Sequence, residues 1–401
     1  MLHKNQQSNS KQLTIVIKVG TSSICNEVTH FPLLSNLSAI VETVLGLRSL
    51  GHRVVLVTSA AVGTGLRRLN MPEKPSSLAA RQAVAAVGQG RLMALYDDLF
   101  GQFGQPVAQI LLTKNDLADR SQYLNAVNCI EELLGMSVVP IVNENDSIST
   151  QGIRFGDNDT LSAVIAGMVK ADYLFLLTDV DCLYTDNPRT NPDAKPVLLC
   201  DDMVNLKDQV SVASMGSNLG TGGMATKLVA AELATAAGVT TIITNGSKSH
   251  NVLKIIDADK NDNKTETPLH TRFIAKNNPL LDRKWWIQYG LHTAGTIYVD
   301  EGAANAMLQP KLKSSLFAAG IVKVEGQFVA QQAVNIVCRK EKQGEQEDFF
   351  IGKGLVNYSS TEIARIKRCH SSEIVNILGY VDSECVIHRD NLVRSTDKIP
   401  V

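Results

Sequence analysis

The stretch YLFLLTDVDCLYTDNPR, residues 173–189, begins with five apolar or aromatic side chains in six and turns polar at Thr178-Asp179. A run this short and this apolar reads as a strand buried on both faces, as in a parallel sheet packed between helices. In an open α/β sheet, ligands sit just beyond the carboxyl ends of the strands. Thr178, Asp179 and the turn-rich LYTDNPR loop are therefore expected at the rim of a ligand site.

The rest of the first 245 residues repeats that pattern. LTIVIKV (13–19), RVVLVTS (53–59), VAQILLT (107–113), SVVPIVN (137–143) and VTTIITN (239–245) read as strands. Between them, 33–51, 78–104 (one long helix or two abutting ones), 120–136, 160–171 and 224–238 carry helical patterns. Such alternation predicts an α/β fold, a mostly parallel sheet sandwiched by helices. The rhythm breaks near 247, where a polar, charged stretch reads as the tail of the first domain and a linker. Beyond Trp285-Trp286, TIYVDEGA, IVKVEGQFV, AVNIVC and FFIGKG are short strand candidates with glycine turns, which predicts a small β-rich module. CRKEKQGEQED (338–348) reads as a charged hairpin tip or a loop between two of them. The expected domains are 13–260, a linker over 261–282, and 283–393.

Bulk composition narrows the function classes. The chain has 401 residues and a net charge of -1, so any nucleic-acid patch has to be local. Its seven cysteines are scattered and include no CxxC pair, which argues against a disulfide frame or a zinc site. The polar start MLHKNQQSNSKQ lacks an apolar signal region, and no run reaches the roughly 20 apolar residues of a membrane span. The expectation is a cytoplasmic protein with no membrane contact.

Five motifs bear on chemistry. In IVIKVGTSS (15–23), Lys18 at a strand end precedes backbone N–H groups able to curl around an anion, although neither GxxxxGK[ST] nor GxGxxG is present. In VLVTSAAVGTG (55–65), small residues let a ligand approach the backbone, and Ser59 offers a hydroxyl. PIVNENDSIS (140–149) and FGDNDTLSA (155–163) hold paired Asx clusters, each after a strand or before a helix. Together they offer carboxylates for an ammonium group and amides for a carboxylate, the set a free amino acid requires. The fourth is the opening stretch, whose loop is suited to lie against a base or ribose. In NLGTGGMATKLVAA (218–231), glycines permit a loop to wrap phosphates, and Lys227 sits in the first turn of the following helix. A cation there is unfavourable unless an anion is bound.

KVGTSS, TSAAVG, NEND, GDND, LLTDVDCLYTDNPR and GTGGMATK, in that order over 13–247, resemble the glutamate 5-kinases of the amino-acid kinase family. GTIYVDEGAANAM, SSLFAAGIVKVEGQF and IGKGLVNYSSTEIARI, within 283–393, resemble the PUA domain that many of these enzymes carry. The resemblance implies ATP-dependent phosphorylation of the γ-carboxylate of L-glutamate, giving γ-glutamyl phosphate for proline synthesis. It implies that Lys18 contacts the transferred phosphates and that Lys227 neutralises phosphoryl charge. Thr178 and Asp179 would touch the nucleotide, and Thr221, Gly222, Gly223, Met224, Ala225, Thr226 and Lys227 would line the ATP site. Ser59, Asp146 and Asn158 would bind glutamate, while Asp159 holds the two lysines in place. One position departs from the family pattern: Ala60 stands where glycine is usual, and its Cβ narrows the backbone's options.

The chemistry needs no general base. A glutamate side chain, with a pKa of about 4.3, is already ionised at neutral pH. Repulsion between that carboxylate and the γ-phosphate is the obstacle, so alignment and charge neutralisation by two lysines and phosphate-bound Mg²⁺ have to overcome it. The resemblance further implies feedback inhibition by proline; the polar, glycine-containing stretch Ser147 to Phe155 is expected to take part, and a homo-oligomer is expected. A labile acyl phosphate also implies hand-off to glutamate-5-semialdehyde dehydrogenase. An RNA-binding or RNA-modification factor acting through the PUA domain is the alternative. Against it stand few aromatics for stacking and no long basic stripe; Lys311, Lys313, Arg365, Lys367 and Arg368 read as a solvated face sooner than as a local patch.

Overall fold

The structure, a computed structural model, describes residues 11–149, 158–186, 188, 190–201, 206, 223–261, 267–276, 282–309, 314–342 and 345–395. It divides into two compact units, residues 1–279 and 280–401.

The first unit is built on an eight-stranded sheet. Its strands are β1 (Thr14–Val19), β2 (Arg53–Val57), β3 (Val107–Leu112), β4 (Val139–Glu144), β5 (Tyr173–Thr178), β8 (Leu199–Cys200), β9 (Thr240–Asn245) and β10 (Thr271–Phe273). Two further strands, β6 (Leu183–Tyr184) and β7 (Pro196–Val197), form a separate ribbon. The order is β3-β4-β2-β1-β5-β9-β10-β8, parallel throughout except where β10 runs against β9. The chain runs from β1 to β2, skips to β3 at the edge, returns to β4 between them, and then crosses to the other side of β1 as β5. A reversal of this kind marks the place where such sheets bind ligands, at the carboxyl ends of the strands beside it.

The helices are α1 (Thr21–Ile24), α2 (Leu34–Ser49), α3 (Ala61–Arg68), α4 (Leu78–Gly101), α5 (Lys114–Ala118), α6 (Arg120–Gly135), α7 (Asn158–Met168), α8 (Met224–Ala236) and α9 (Asn251–Asn261). Strand side chains alternate between faces. Ile15, Ile17 and Val19 of β1 pack with α2, α4 and α9 through Leu37, Val44, Tyr96 and Val252. Lys18 lies on the opposite face of β1, which α7 covers. A lysine in an otherwise apolar strand is thus carried into the interior, under a helix.

The sequence reading of 78–104 leaves one helix or two open; the chain forms one, α4. The stretch read as tail and linker holds more order than its polarity announces. It contains α9 and then β10, and β10 lies inside 261–282 as a paired member of the main sheet. Three residues, the middle one an arginine, give too short a pattern to be read as a strand.

The second unit holds β11 (Thr293–Val299), β12 (Ile321–Gly326), β13 (Ala333–Lys342), β14 (Glu345–Leu355) and β15 (Leu392–Arg394), in the order β12-β11-β13-β14-β15. All neighbours are antiparallel except β11 and β13. The stretch 338–348, read as a charged hairpin tip or a loop, is strand in its described residues: β13 and β14 pair as far as Lys342 and Glu345. The unit has its own core, including Ile297, Ile336, Ile351 and Tyr358.

Candidate active site

At the rim of β1, three ionised side chains from distant parts of the chain meet. Lys18 Nζ lies 2.5 Å from Asp159 Oδ1, and Lys227 Nζ donates to Asp159 Oδ2 at 3.0 Å. All three are buried, with relative exposures of 4% for Lys18, 0% for Asp159 and 6% for Lys227. Thr226 Oγ1, also 3.0 Å from Asp159 Oδ2, lies 2.7 Å from the Gly223 carbonyl. Burial alone would raise the Asp159 carboxyl, but the two flanking ammonium groups outweigh it and hold it far below the usual carboxylate range. The group therefore carries two positive charges and one negative in a dry setting.

Local structure explains how they meet. Asp159 occupies the first turn of α7, where a carboxylate is favoured by the helix dipole. Lys227 lies in the first turn of α8, against its dipole, and the Asp159 contact offsets that cost. The amino ends of both helices converge here, adding fixed partial positive charge. A Cβ on Gly20 would stand 3.6 Å from Lys18 Nζ, so the backbone after β1 passes directly over the ammonium group.

Other residues expected in the nucleotide half are placed as follows. Thr178 ends β5, is buried, and donates to Asp179 Oδ1 at 3.1 Å, while Asp179 itself is exposed. Beside them Asp181 accepts from Asn245 Nδ2 at 3.0 Å and Lys248 Nζ at 2.9 Å, tying the ends of β5 and β9 together. Gly223 precedes α8 and Ala225 is exposed, but the Met224 side chain is buried in the core. Thr221 and Gly222 lie outside the described residues, as do 150–155 of the proposed proline-responsive loop and Lys311 and Lys313. Arg365, Lys367 and Arg368 are exposed, and Arg365 donates to the Ile377 carbonyl at 2.6 Å.

The amino-acid half adjoins the triad through consecutive residues. Asn158 precedes Asp159 on α7, and its Nδ2 donates to Ser59 Oγ and to Asn143 Oδ1, each at 3.0 Å. Asn143 Nδ2 donates to Gln89 Oε1 at 2.8 Å. The TSA, NEND and GDND motifs are thus brought together by direct hydrogen bonds. Both Nδ2 hydrogens of Asn158 are thus engaged, and its Oδ1 is buried without a hydrogen-bond partner among the described residues. Asp146 stands by Glu144 and Lys74, and burial together with the Glu144 charge pushes its carboxyl up to about 6.

Gln89 and Asn143 are the residues that motif reading passed over. Asn143 lies inside the quoted NEND motif, yet only Asp146 was assigned a role there. Gln89 sits between Gly88 and Gly90 in mid-helix, and glycines at such a place signal a close backbone approach. A Cβ on Gly88 would come within 1.8 Å of the Ala61 carbonyl, so α4 can press against the start of α3 only because this residue is glycine.

Residues 13–245 match the amino acid kinase family and 295–378 match the PUA domain. The chain belongs to the amino acid kinase family. Within it, the chain is 56% identical over 393 residues to a probable glutamate 5-kinase of Schizosaccharomyces pombe, covering 96% of this chain and 94% of that one. It is 50% identical over 379 residues to a glutamate 5-kinase of Rippkaea orientalis, covering 94% of this chain and 98% of that one.

Proposed function

We propose that this protein transfers the γ-phosphoryl group of ATP to the γ-carboxylate of L-glutamate, the first step of proline biosynthesis. The observation that carries the reading is the buried Lys18–Asp159–Lys227 group. Two ammonium groups held on one buried carboxylate, at the amino ends of two helices, make a setting that favours an anion. A phosphoryl group in transfer is that anion.

In this reading Lys18 and Lys227 draw charge from the phosphoryl oxygens, and Asp159 keeps the two cations close enough to share one group. Thr226 steadies the Asp159 oxygen that faces Lys227. Ser59, Asn158 and Asp146 hold the amino acid so that its γ-carboxylate lies in line with the phosphorus, and alignment of this kind supplies much of the rate. Thr178, Asp179, Gly223, Ala225 and Thr226 border the nucleotide, with Thr221 and Gly222 assigned to it from their motif alone. The Met224 side chain belongs to the core, so this residue serves the nucleotide only through its backbone.

The magnesium ion expected with ATP neutralises phosphate charge. Both Asp159 oxygens are engaged by ammonium groups, and no cluster of three or more His, Cys, Asp or Glu occurs among the described residues. Magnesium is assigned to the nucleotide's phosphates on the chemistry of phosphoryl transfer alone. Domain bounds of 13–260 for catalysis, extended by β10, and 283–393 for the PUA module follow from the same reading. Proline inhibition, a homo-oligomer, hand-off of the acyl phosphate to glutamate-5-semialdehyde dehydrogenase and RNA contact by the PUA module are proposals on family grounds.

The test is ADP release with glutamate, aspartate or N-acetylglutamate, with hydroxylamine trapping the acyl phosphate. Glutamate-dependent ADP and a glutamyl hydroxamate are expected. ADP release with either other acceptor but not with glutamate overturns the reading.

A further inference from the structure

The hydrogen bonds around Asn143 have a direction set by one donor that cannot change. The Glu144 N–H donates to Asn143 Oδ1 at 2.9 Å. This fixes the Asn143 amide, so its Nδ2 faces Gln89 and the atom met there at 2.8 Å is Oε1. Only an N–H can approach Asn143 Oδ1 a second time, and Asn158 Nδ2 does so at 3.0 Å. The other Nδ2 hydrogen of Asn158 goes to Ser59 Oγ. Asn158 Oδ1 is then the remaining acceptor, buried and without a hydrogen-bond partner among the described residues. Ser59, having accepted one bond, keeps a hydroxyl proton to donate. An acceptor and a donor side by side match the ammonium and carboxylate of an amino acid.

Gln89 stands at the root of this chain of bonds. It is 8% exposed, and its Nε2 is buried with no partner among the described residues. A glutamine kept for packing alone gains nothing from that arrangement, since a methionine of similar shape leaves no donor unpaired. We infer that Gln89 is a positioning residue for the amino-acid substrate: with the Glu144 N–H it locks Asn143, and through Asn143 it aims Asn158 Oδ1 at the substrate's α-ammonium. Without Gln89, Asn143 Nδ2 is left buried with no acceptor, and the side chain swings to find one, carrying Asn158 with it. The inference rests on the glutamate reading above.

The test compares the parent chain with Gln89→Met and Gln89→Glu. It measures KM for glutamate, KM for ATP, and inhibition by glutarate, the same diacid without the amine. Q89M should raise KM for glutamate about tenfold, the worth of one hydrogen bond to a charged partner. Its KM for ATP and its Ki for glutarate should move less than about threefold. Q89E, whose carboxyl oxygen still accepts from Asn143 Nδ2, should hold KM for glutamate within about threefold of the parent. Parallel changes in glutamate and glutarate binding by Q89M, or no change in either, overturn the inference. If Q89M does not fold, a tenfold rise in KM for Q89E does the same. A parent chain that releases no ADP with glutamate sinks the proposed function as well, whereas failure of the variants alone leaves that function standing.

Discussion

Ala60 holds a backbone conformation that suits glycine better. Its φ of 79° and ψ of 12° are left-handed, and it is buried between Ser59 and the start of α3. An L-residue there carries a cost of about 1 kcal/mol. Ala60→Gly should therefore stabilise the protein by up to about 1 kcal/mol, read as a shift in the chemical-denaturation midpoint, because relief of strain competes with glycine's greater freedom when unfolded. Lys227→Ala should lower kcat by about two to three orders of magnitude, as removing one transition-state donor does. Its KM for glutamate should change little, and near-normal kcat in steady-state assays would refute the role. Asp146 makes a prediction in pH. Its carboxyl is raised to about 6, so the folded chain binds a proton more readily than the unfolded one between about pH 4 and 6. Stability from this group is thus present at low pH, falls as pH rises through that window, and stays reduced above it. Asp146→Asn should flatten that slope, of order 1–2 kcal/mol after allowance for partial exposure, while raising KM for glutamate and leaving KM for ATP alone. Thermal melts and initial rates from pH 4 to 8 would check both arms.

At the level of elements, the crossing of α3 and α4 positions the turn that carries Ser59. Gly65 faces the Val84 carbonyl and Gly88 faces the Ala61 carbonyl, each too close for a Cβ. Gly88→Ala should destabilise the protein by about 2–4 kcal/mol, since the clash is with backbone and neither helix can yield alone. It should also raise KM for glutamate, because Ala61 follows the turn that carries Ser59; a variant with parental stability and KM would show that the helices separate freely. The same crossing shows what the sequence made legible. Lys18, Asp159 and Lys227 were recognisable because each sits at a strand end or a helix start, where polarity interrupts an apolar pattern. Gln89 was not, because a polar residue in mid-helix reads as solvated surface until the facing helix is known. β10 was missed for a related reason: its three residues gain meaning only from pairing with β9, and that contact is non-local.

Each of the two units has a core among the described residues, one around β1 and one around β13. The second contains a buried lysine whose titration reports on that unit alone. Lys353 Nζ donates to the carbonyls of Gln288, at 3.1 Å, and Leu291. Burial pushes its pKa down to about 8. The ammonium form is therefore the disfavoured one when folded, and stability rises as pH passes from about 8 towards the ordinary lysine value. Calorimetry from pH 8 to 9.5 should show a gain for the C-terminal unit that Lys353→Met abolishes; an equal gain in the variant would assign the effect elsewhere.

The two ammonium groups and two helix amino ends gathered in the first unit have a practical side. Inorganic phosphate, sulfate or pyrophosphate in a buffer is drawn to such a setting, so the choice of medium should alter both the melting temperature and the apparent demand for ATP. Purified in chloride alone, this protein should be at its most fragile. Small oxyanions should protect it against heat in proportion to their charge, while competing with the nucleotide it uses.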